Sequence, residues 1–195
     1  MQAAGDLLVV MDEARLEGVR PADGFVPWSQ PRTRPGGPAR ATALSRPGDR
    51  LVHVRDGNVL RALSRRTGLE MWQFEAGAAA ARVLEDHGLV YTAAHLADEG
   101  RDTVFCLDAG TGQVRWQRAL ARRRATSCGL HLLGVRSDAL YVRVAHAGRR
   151  GLLGRGRDAE PFVVALDAAL ADHEAVLLDD VLILARPDLT AVALP

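Results

Sequence analysis

The chain contains six histidines and two cysteines, the side chains that most often bind transition metals or attack substrates. None of the histidines is spaced as in a His-x-x-x-His pair, and Cys106 and Cys128 belong to no Cys-x-x-Cys motif. His87 and His95 are close in sequence. Three acidic residues follow this pair: Asp98, Glu99 and Asp102. A metal site is one interpretation of this cluster, but the sequence favours the simpler interpretation of exposed loop residues.

Other catalytic arrangements have little support in the sequence. Ser127, Cys128 and His131 lie close together, but no Gly-x-Ser-x-Gly elbow supports a serine nucleophile. All 25 basic residues are arginine, so no Schiff-base lysine or P-loop lysine can exist. Cys106 lies in an apolar run and is predicted to be a buried thiol. The sequence therefore favours a protein that is not an enzyme, and it predicts no cofactor.

The net charge of +1 conceals an uneven distribution of charge along the chain. Residues 1–31 carry five acidic and two basic side chains, whereas residues 32–157 carry 11 acidic and 22 basic ones. Residues 158–195 carry eight acidic side chains and one arginine. The basic middle could bind a polyanion such as a nucleic acid. The favoured interpretation is that these arginines keep the protein soluble and pair with the acidic ends.

Two arginine-rich segments are predicted to be loops that bind a ligand or partner. The first is the Pro/Gly/Arg-rich loop at 31–47, where residues 32–46 are of most interest. The second is predicted to insert into the fourth repeat at 148–157. Its candidate binding residues are Arg149, Arg150, Arg155 and Arg157. Loops held by a rigid scaffold often carry binding residues, so these segments are where we expect a binding site.

Three tryptophans reveal an internal repeat with a period of 44 residues. Each follows a glycine by four positions: Gly24 and Trp28, Gly68 and Trp72, and Gly112 and Trp116. Thr67 and Thr111 precede two of these glycines. A Thr-Gly turn supplies the positive φ that a tight hairpin needs, and Asp108, ahead of the third turn, can accept hydrogen bonds from its backbone. The tryptophans are predicted to fill the space between neighbouring sheets and not to bind ligands.

Short β-like runs surround each copy of the repeat. The runs that open the copies are 6–10, 49–54, 88–91, 138–142 and 180–184. The runs that come next include 61–64, 105–108, 164–167 and a start at 192–195. A Gly-x-x-x-Trp strand follows in only three copies, so the fourth copy is degraded and the fifth is partial.

A period near 44 residues is typical of β-propellers, in which each repeat forms one four-stranded antiparallel blade. The sequence therefore predicts an all-β chain with about four to five blades in a single domain. The predicted repeats cover 5–30, 48–77, 86–121, 136–178 and, in part, 179–195. Three arrangements remain open: a small closed ring, part of a larger ring, or an open blade edge that allows self-association.

Two copies of the repeat resemble the pyrroloquinoline-quinone-like (PQQ-like) propeller family, whose pattern is Ala-x-Asp-x-x-Thr-Gly-x-x-x-Trp. Residues 106–116 match this pattern except at the first position, and residues 62–72 match it with Ser64 in place of Asp. The resemblance implies propeller blades. It does not imply a bound quinone, because the same repeat builds non-enzymatic propellers such as the outer-membrane assembly lipoprotein. Dehydrogenases of the family are longer and have adjacent cysteines, which this chain lacks.

The sequence supports three hypotheses about function. The favoured one is a non-enzymatic scaffold that binds a protein or a small ligand. The second, implied by the resemblance, is a fragment or divergent homologue of a quinoprotein oxidoreductase, which would need PQQ and calcium. The third is a polyanion or nucleic-acid binder.

The expected location of the chain, as written, is cytoplasmic. No signal peptide is recognisable at the N-terminus, and no apolar run is long enough to span a membrane. An exported parent would look the same if its N-terminus were missing.

Overall fold

The computed structural model describes residues 2–4, 7–32, 43–44, 50–75, 77–79, 83–122, 130–136, 139–146, 149–154, 162–165, 174–178, 181–185 and 189–193. Within these ranges every regular element is a β-strand, and the strands form five antiparallel sheets that follow one another along the chain. The prediction of an all-β chain of successive antiparallel sheets is therefore confirmed. None of the described residues forms a helix that could cross a membrane.

The first two sheets each contain four strands in sequential order. In the first sheet these are β1 (Gln2–Ala4), β2 (Leu7–Met11), β3 (Arg15–Val19) and β4 (Trp28–Pro31). In the second sheet they are β5 (Ala43–Leu44), β6 (Leu51–Asp56), β7 (Val59–Ser64) and β8 (Glu70–Glu75).

The third sheet differs because two short strands pair with the same neighbour. Its strands are β9 (Ala78–Ala79), β10 (Leu84–Asp86), β11 (Leu89–Leu96), β12 (Arg101–Asp108) and β13 (Val114–Arg122), and both β9 and β10 pair with β11. The fourth sheet contains β14 (Leu130–Arg136), β15 (Ala139–His146), β16 (Arg149–Gly154) and β17 (Phe162–Ala165). The fifth contains β18 (Glu174–Leu178), β19 (Val181–Ala185) and β20 (Leu189–Ala193).

Strand β6 shows why these segments are buried on both faces. Successive side chains of a strand point to opposite faces of the sheet. Val52 and Val54 pack against the first sheet, whereas His53 reaches the third sheet. The sheets therefore stack side by side, and each inner sheet contributes side chains to two interfaces.

Three apolar clusters fill the spaces between successive sheets. Between the first and second sheets the cluster contains Leu7, Val9, Leu16, Trp28, Val52, Val54 and Leu63. Between the second and third sheets it contains Leu60, Val83, Val90, Ala94, Phe105, Leu107 and Ala109. Between the third and fourth it contains Tyr91, Ala93, Val104, Cys106, Leu132, Leu140 and Val142. Full burial of one Val, Leu or Phe side chain stabilises the folded state by about 1.5–3 kcal/mol. Cys106 is buried in the third of these clusters, as the sequence predicts for this thiol.

The first strands of several neighbouring sheets contact one another. β1 contacts β5, β10 contacts β14, and β14 contacts β18. In the first three sheets these strands are only two or three residues long, as with Gln2–Ala4 and Ala43–Leu44. The sequence did not predict them as strands, so the predicted repeats begin one strand later than the sheets do.

Two sequence assignments in the fourth repeat are corrected by the structure. Val164 and Ala165 belong to β17, the fourth strand of that sheet, and not to the strand that precedes a glycine turn. Glu174–Leu178 opens the fifth sheet, so the predicted repeat at 136–178 joins strands from two sheets. The error arises because short apolar runs look alike when no Gly-x-x-x-Trp motif fixes their register.

Candidate functional site

Three turns of similar geometry lie at one end of the first three sheets. Gly24, Gly68 and Gly112 have φ values of 71°, 69° and 72°, a region that side chains with a Cβ rarely adopt. Each glycine N–H donates to the carbonyl four residues earlier, at 2.9, 2.7 and 2.8 Å. We call this end the glycine-turn face and the opposite end, with the turns at Asp12 and Asp56, the hairpin end.

Asp108 organises the third turn through both of its carboxylate oxygens. Its Oδ1 accepts hydrogen bonds from the N–H groups of Gly110 and Thr111 and from the Thr111 hydroxyl, at 2.9–3.1 Å. Its Oδ2 accepts one from Arg115 at 2.6 Å. The Arg115 and Thr111 hydrogen bonds favour the ionised carboxylate, so the pKa of Asp108 lies below its ordinary value.

The other two turns are held by fewer side-chain hydrogen bonds. In the second turn the Ser64 hydroxyl accepts a hydrogen bond from the N–H of Thr67 at 3.3 Å. In the first turn Asp23 accepts one from the N–H of Phe25 at 3.2 Å and forms an ion pair with Arg20 at 2.6 Å. The hydrogen bond from Arg20 lowers the pKa of Asp23.

Trp28 joins the first sheet to the turn of the second. Its Nε1 donates a hydrogen bond to the carbonyl of Arg65 at 2.9 Å. Its ring covers Gly68, where an added Cβ would lie 2.6–2.8 Å from three ring atoms. On its own sheet the ring also covers Gly18, where a Cβ would clash with the indole. The indole therefore fits only because both positions lack a side chain.

Trp72 repeats this contact one sheet further on. Its Nε1 donates to the carbonyl of Ala109 at 3.0 Å, and its ring covers Gly112, where an added Cβ would lie 2.7–3.0 Å from ring atoms. Trp116 lies half-buried on β13, with its ring centroid 6.1 Å from that of Tyr91. Trp28 and Trp72 thus act in packing between sheets.

His53 adds a polar contact to the interface between the second and third sheets. Its Nδ1 lies 2.8 Å from Oε2 of Glu85, and its Nε2 lies 3.0 Å from the carbonyl oxygen of Ala109. A carboxylate and a carbonyl are both acceptors, so the ring nitrogen that carries the hydrogen donates to one of them. His53 also packs on Trp72, with centroids 5.3 Å apart.

Strand register places His53 in a row that recurs in the first three sheets. The rows are Val9–Gly18–Trp28, His53–Ala62–Trp72 and Tyr91–Cys106–Trp116. The first row is apolar, whereas the second carries an imidazole that reaches the next sheet. His53 is one of the six histidines, and no spacing in the sequence indicates this contact.

A cleft of about 210 Å³ opens on the glycine-turn face between the second and third sheets. Its polar lining comes from Arg50, His53, Glu85 and His87. His87 has a φ of 45° and is the only non-glycine residue with a positive φ in the described part of the chain. Basic and acidic groups therefore converge at a small opening where a ligand could form charged hydrogen bonds.

At the hairpin end, arginines tie the first sheet to the second. Arg32 and Asp56 form a fully buried ion pair at 3.0 Å, and Arg32 Nη1 also donates to the carbonyl of Asp12 at 2.9 Å. Arg61 donates to the carbonyl of Pro31 at 3.1 Å. Removing one partner of such a buried pair would leave the other charge uncompensated. Arg32 is thus a structural residue, although the sequence placed it in a candidate binding loop.

The structure separates the two histidines that the sequence considered as a metal site. His95 is buried within β11 and lies 2.8 Å from the buried carboxylate of Asp102, so the prediction of an exposed loop residue is wrong at this position. His87 lies at the other end of the sheet in an exposed turn, 2.8 Å from Asp86. Within the described ranges no group of three or more His, Cys, Asp or Glu side chains could hold a metal ion.

Exposed apolar side chains cluster along the glycine-turn face, and we call this set the apolar rim. It consists of Phe25, Val26, Leu69, Met71 and Val114, which are 41–60% exposed. All five lie just after one of the three turn glycines, either in the turn or at the start of β8 or β13. They therefore recur from sheet to sheet along the start of the fourth strands.

The predicted arginine-rich loops are only partly within the described residues. Arg149 and Arg150 lie on β16 and pair with His146 and Ala145 of β15, so the prediction of a loop over this stretch is wrong. Arg155 and Arg157 lie outside the described residues. In the first segment Pro31 ends β4 and Ala43–Leu44 forms β5, whereas residues 33–42 and 45–47 lie outside the described part.

Comparison with known proteins shows the fold. No family model matches the chain, and no curated protein matches it. Among solved structures, BamB from Moraxella catarrhalis is 19% identical with a TM-score of 0.59, and the match covers 97% of this chain and 55% of that one. A complex of KlAtg21 with the coiled-coil of AgAtg16 gives 8% identity, a TM-score of 0.66 and coverage of 98% and 64%.

A third match is the quinohemoprotein alcohol dehydrogenase from Comamonas testosteroni. It is 12% identical with a TM-score of 0.59, over 96% of this chain and 40% of the other. The chain therefore spans between 40% and 64% of the length of these three proteins. These TM-scores show a β-propeller-type fold, and because the identities are low they show the fold alone.

Proposed function

We infer that the chain is a non-enzymatic interaction scaffold, built from PQQ-like propeller blades, that binds a protein partner through the apolar rim. The observation that carries this proposal is the concentration of exposed Phe25, Leu69 and Met71 at the glycine-turn face. Exposed apolar patches on soluble proteins commonly mark interaction sites. The partner contributes apolar side chains to this contact.

Charged groups beside the rim suit a protein contact with a polar border. The guanidinium of Arg20 lies 5.2 Å from the centre of the Phe25 ring, and Arg20 also pairs with Asp23. Protein interfaces typically combine aromatic residues, methionine and arginine with a solvated polar margin. This composition favours a protein over a small polar metabolite at the rim.

The solved complex of KlAtg21 with a coiled-coil supports the use of this fold for binding proteins. The coiled-coil is the partner of KlAtg21. The match covers 98% of this chain, so a structure with this fold is found in a protein complex.

The test compares partner capture by the immobilised chain with capture by a triple variant, Phe25→Ser, Leu69→Ser and Met71→Ser. These side chains are exposed, so we expect the variant to stay folded, with changes in stability within about 0.5 kcal/mol per site. We expect the retained proteins to fall by about tenfold or more, as when interface anchors are removed.

A matched control replaces three exposed polar residues, Glu13, Arg66 and Gln73, with serine. This variant is expected to retain the same proteins as the original chain. Equal retention by the rim variant would contradict the proposal.

A second candidate is a quinoprotein oxidoreductase, supported by the repeat motif at 106–116 and by the match to a quinohemoprotein alcohol dehydrogenase. It requires binding of PQQ in the presence of calcium. Isothermal titration of the full chain with PQQ and calcium tests this directly, and a heat signal that saturates would favour it over the scaffold.

A further inference from the structure

The first sheet repeats one side of an interface that the chain uses twice internally. The turns at Gly24, Gly68 and Gly112 have nearly equal φ values and matching backbone hydrogen bonds. An indole from the preceding sheet covers Gly68 and Gly112, whereas no described residue has an atom within 4 Å of a Cβ built on Gly24. The first turn therefore presents to solvent the surface that receives an indole in the other two.

The acceptor that pairs with the indole N–H recurs as well. Trp28 and Trp72 donate to the carbonyls of Arg65 and Ala109, each three residues before the turn glycine. Pro21 occupies this position in the first turn, and it is exposed. A proline carbonyl accepts hydrogen bonds as well as any other, so the first turn keeps the acceptor.

The sheet face beside this turn is apolar, and we call it the leading face. It is formed by Leu8, Val10 and Val19, which point away from the second sheet and are partly exposed. By strand register these residues correspond to Val52, Val54 and Leu63 of the second sheet, which are fully buried against the first sheet. They correspond to Val90, Thr92 and Leu107 of the third sheet, which are also buried.

We propose that the leading face of the first sheet and the Gly24 turn bind a further propeller blade whose last strand carries a Gly-x-x-x-Trp motif. The incoming indole stacks on Gly24 and donates its N–H to the Pro21 carbonyl, as Trp28 does at Gly68 and Arg65. Apolar side chains of that blade cover Leu8, Val10 and Val19. The occupant follows from the two interfaces within the chain, which bury equivalent residues in this way.

The test adds such a blade to the full chain. Residues 39–82 are copied and fused ahead of Met1, so that the copy of Trp72 precedes Leu7 by as many residues as Trp72 precedes Leu89. A second fusion carries Trp72→Ala in the copied segment only. Hydrogen exchange is then measured at the amides of residues 7–25, together with the fluorescence of the added indole.

We expect amide exchange over residues 7–25 to be slower by about tenfold or more in the tryptophan fusion than in the alanine fusion. Gly24→Ala should remove this difference, because its Cβ would meet the incoming ring. Gly57→Ala is the matched control, since Gly57 has a φ of 63° and equally open surroundings, and it should leave the difference intact. Equal exchange in the two fusions overturns the proposal, including the case in which another part of the chain already covers the face.

Discussion

The interface between the first and second sheets and the interface between the second and third share one tryptophan contact but place their polar groups at opposite ends. In the first interface the polar contacts are the buried Arg32–Asp56 pair and the hydrogen bond from Arg61 to the Pro31 carbonyl, at the hairpin end. In the second the polar contact is the His53–Glu85 contact at the glycine-turn face, next to the tryptophan. The same tryptophan contact between sheets is thus combined with two different polar contacts.

The difference shows which parts of the repeat are constrained. The turn glycine and the indole depend on each other, because neither Gly68 nor Gly112 could hold a side chain under the ring. The residue two strands away from the indole in the same row is not constrained in the same way, since Val9, His53 and Tyr91 all occupy this position. Changes at this variable position can therefore give each interface a chemistry of its own.

The tryptophans should give the largest difference between the two interfaces. Trp28 is 5% exposed, whereas Trp72 is only half-buried. We expect Trp28→Ala to lower the free energy of unfolding by about 3–5 kcal/mol and Trp72→Ala to lower it by less. Urea unfolding followed by circular dichroism measures both, with Met71→Ala as an exposed control. A larger loss for Trp72→Ala would show that the polar contacts, and not burial of the ring, decide the strength of these interfaces.

Substitution of the turn glycines separates the cost of the turn from the cost of the contact. Gly24→Ala should lose only the backbone preference, about 1–2 kcal/mol, because its Cβ would meet none of the described residues. Gly68→Ala should lose more, since its Cβ would collide with Trp28. The excess should shrink when Gly68→Ala is made in the Trp28→Ala chain, as a double-mutant cycle of unfolding free energies would show. Equal losses of unfolding free energy for Gly24→Ala and Gly68→Ala would mean that the Trp28 ring moves aside at little cost.

Replacing His53 converts the second interface towards the first. His53→Val introduces the residue found at the equivalent position, Val9, and leaves the Glu85 carboxylate without its hydrogen-bond donor. We expect a loss of about 1–3 kcal/mol in the free energy of unfolding. Adding Glu85→Leu should recover most of this loss, because no carboxylate then lacks a donor. If the double variant is no more stable than His53→Val, His53 stabilises the fold mainly through its packing on Trp72.

Acid should affect the third turn more than the second, and this is the smallest expected effect. Arg115 and Thr111 lower the pKa of Asp108 from its ordinary value of 3.8. Asp108 therefore stabilises the fold above that value, and this contribution is lost as the pH falls through the lowered pKa.

Ser64 occupies the equivalent position in the second turn and does not titrate in this range. We expect Asp108→Ser to reduce the fall in unfolding free energy between about pH 5 and pH 2. Urea titrations at several pH values measure this slope. Some slope should remain, because the pKa values of Asp12 and Asp23 are lowered too. An unchanged slope would contradict the role assigned to Asp108.

The repeat could be read from the sequence because its glycines and tryptophans have rigid spacing. Gly68 and Trp72 are fixed by a turn and by a ring that rests on the next turn, so both mark the register. The short strands Gln2–Ala4 and Ala43–Leu44 carry no such marker and were missed. Val164 was placed in the wrong strand for the same reason.

The polar contacts could not be predicted because they join residues that are distant in the chain. His53 and Glu85 are 32 positions apart, and Arg32 and Asp56 are 24 apart. Each pair links neighbouring sheets, so its partners become adjacent only after the sheets stack. No local spacing in the sequence indicates such a pair. The cleft beside His53 therefore could not be predicted from sequence motifs.

The tryptophan contact gives the array of sheets a polarity. In both described contacts the indole belongs to the earlier sheet, and the carbonyl and glycine that receive it belong to the later one. Such a contact is heterologous: it joins the sheets head to tail, and it cannot be made by two copies of the same surface related by a two-fold axis. A further sheet can therefore join this array only in the same orientation, because a sheet turned end for end would set indole against indole or glycine turn against glycine turn.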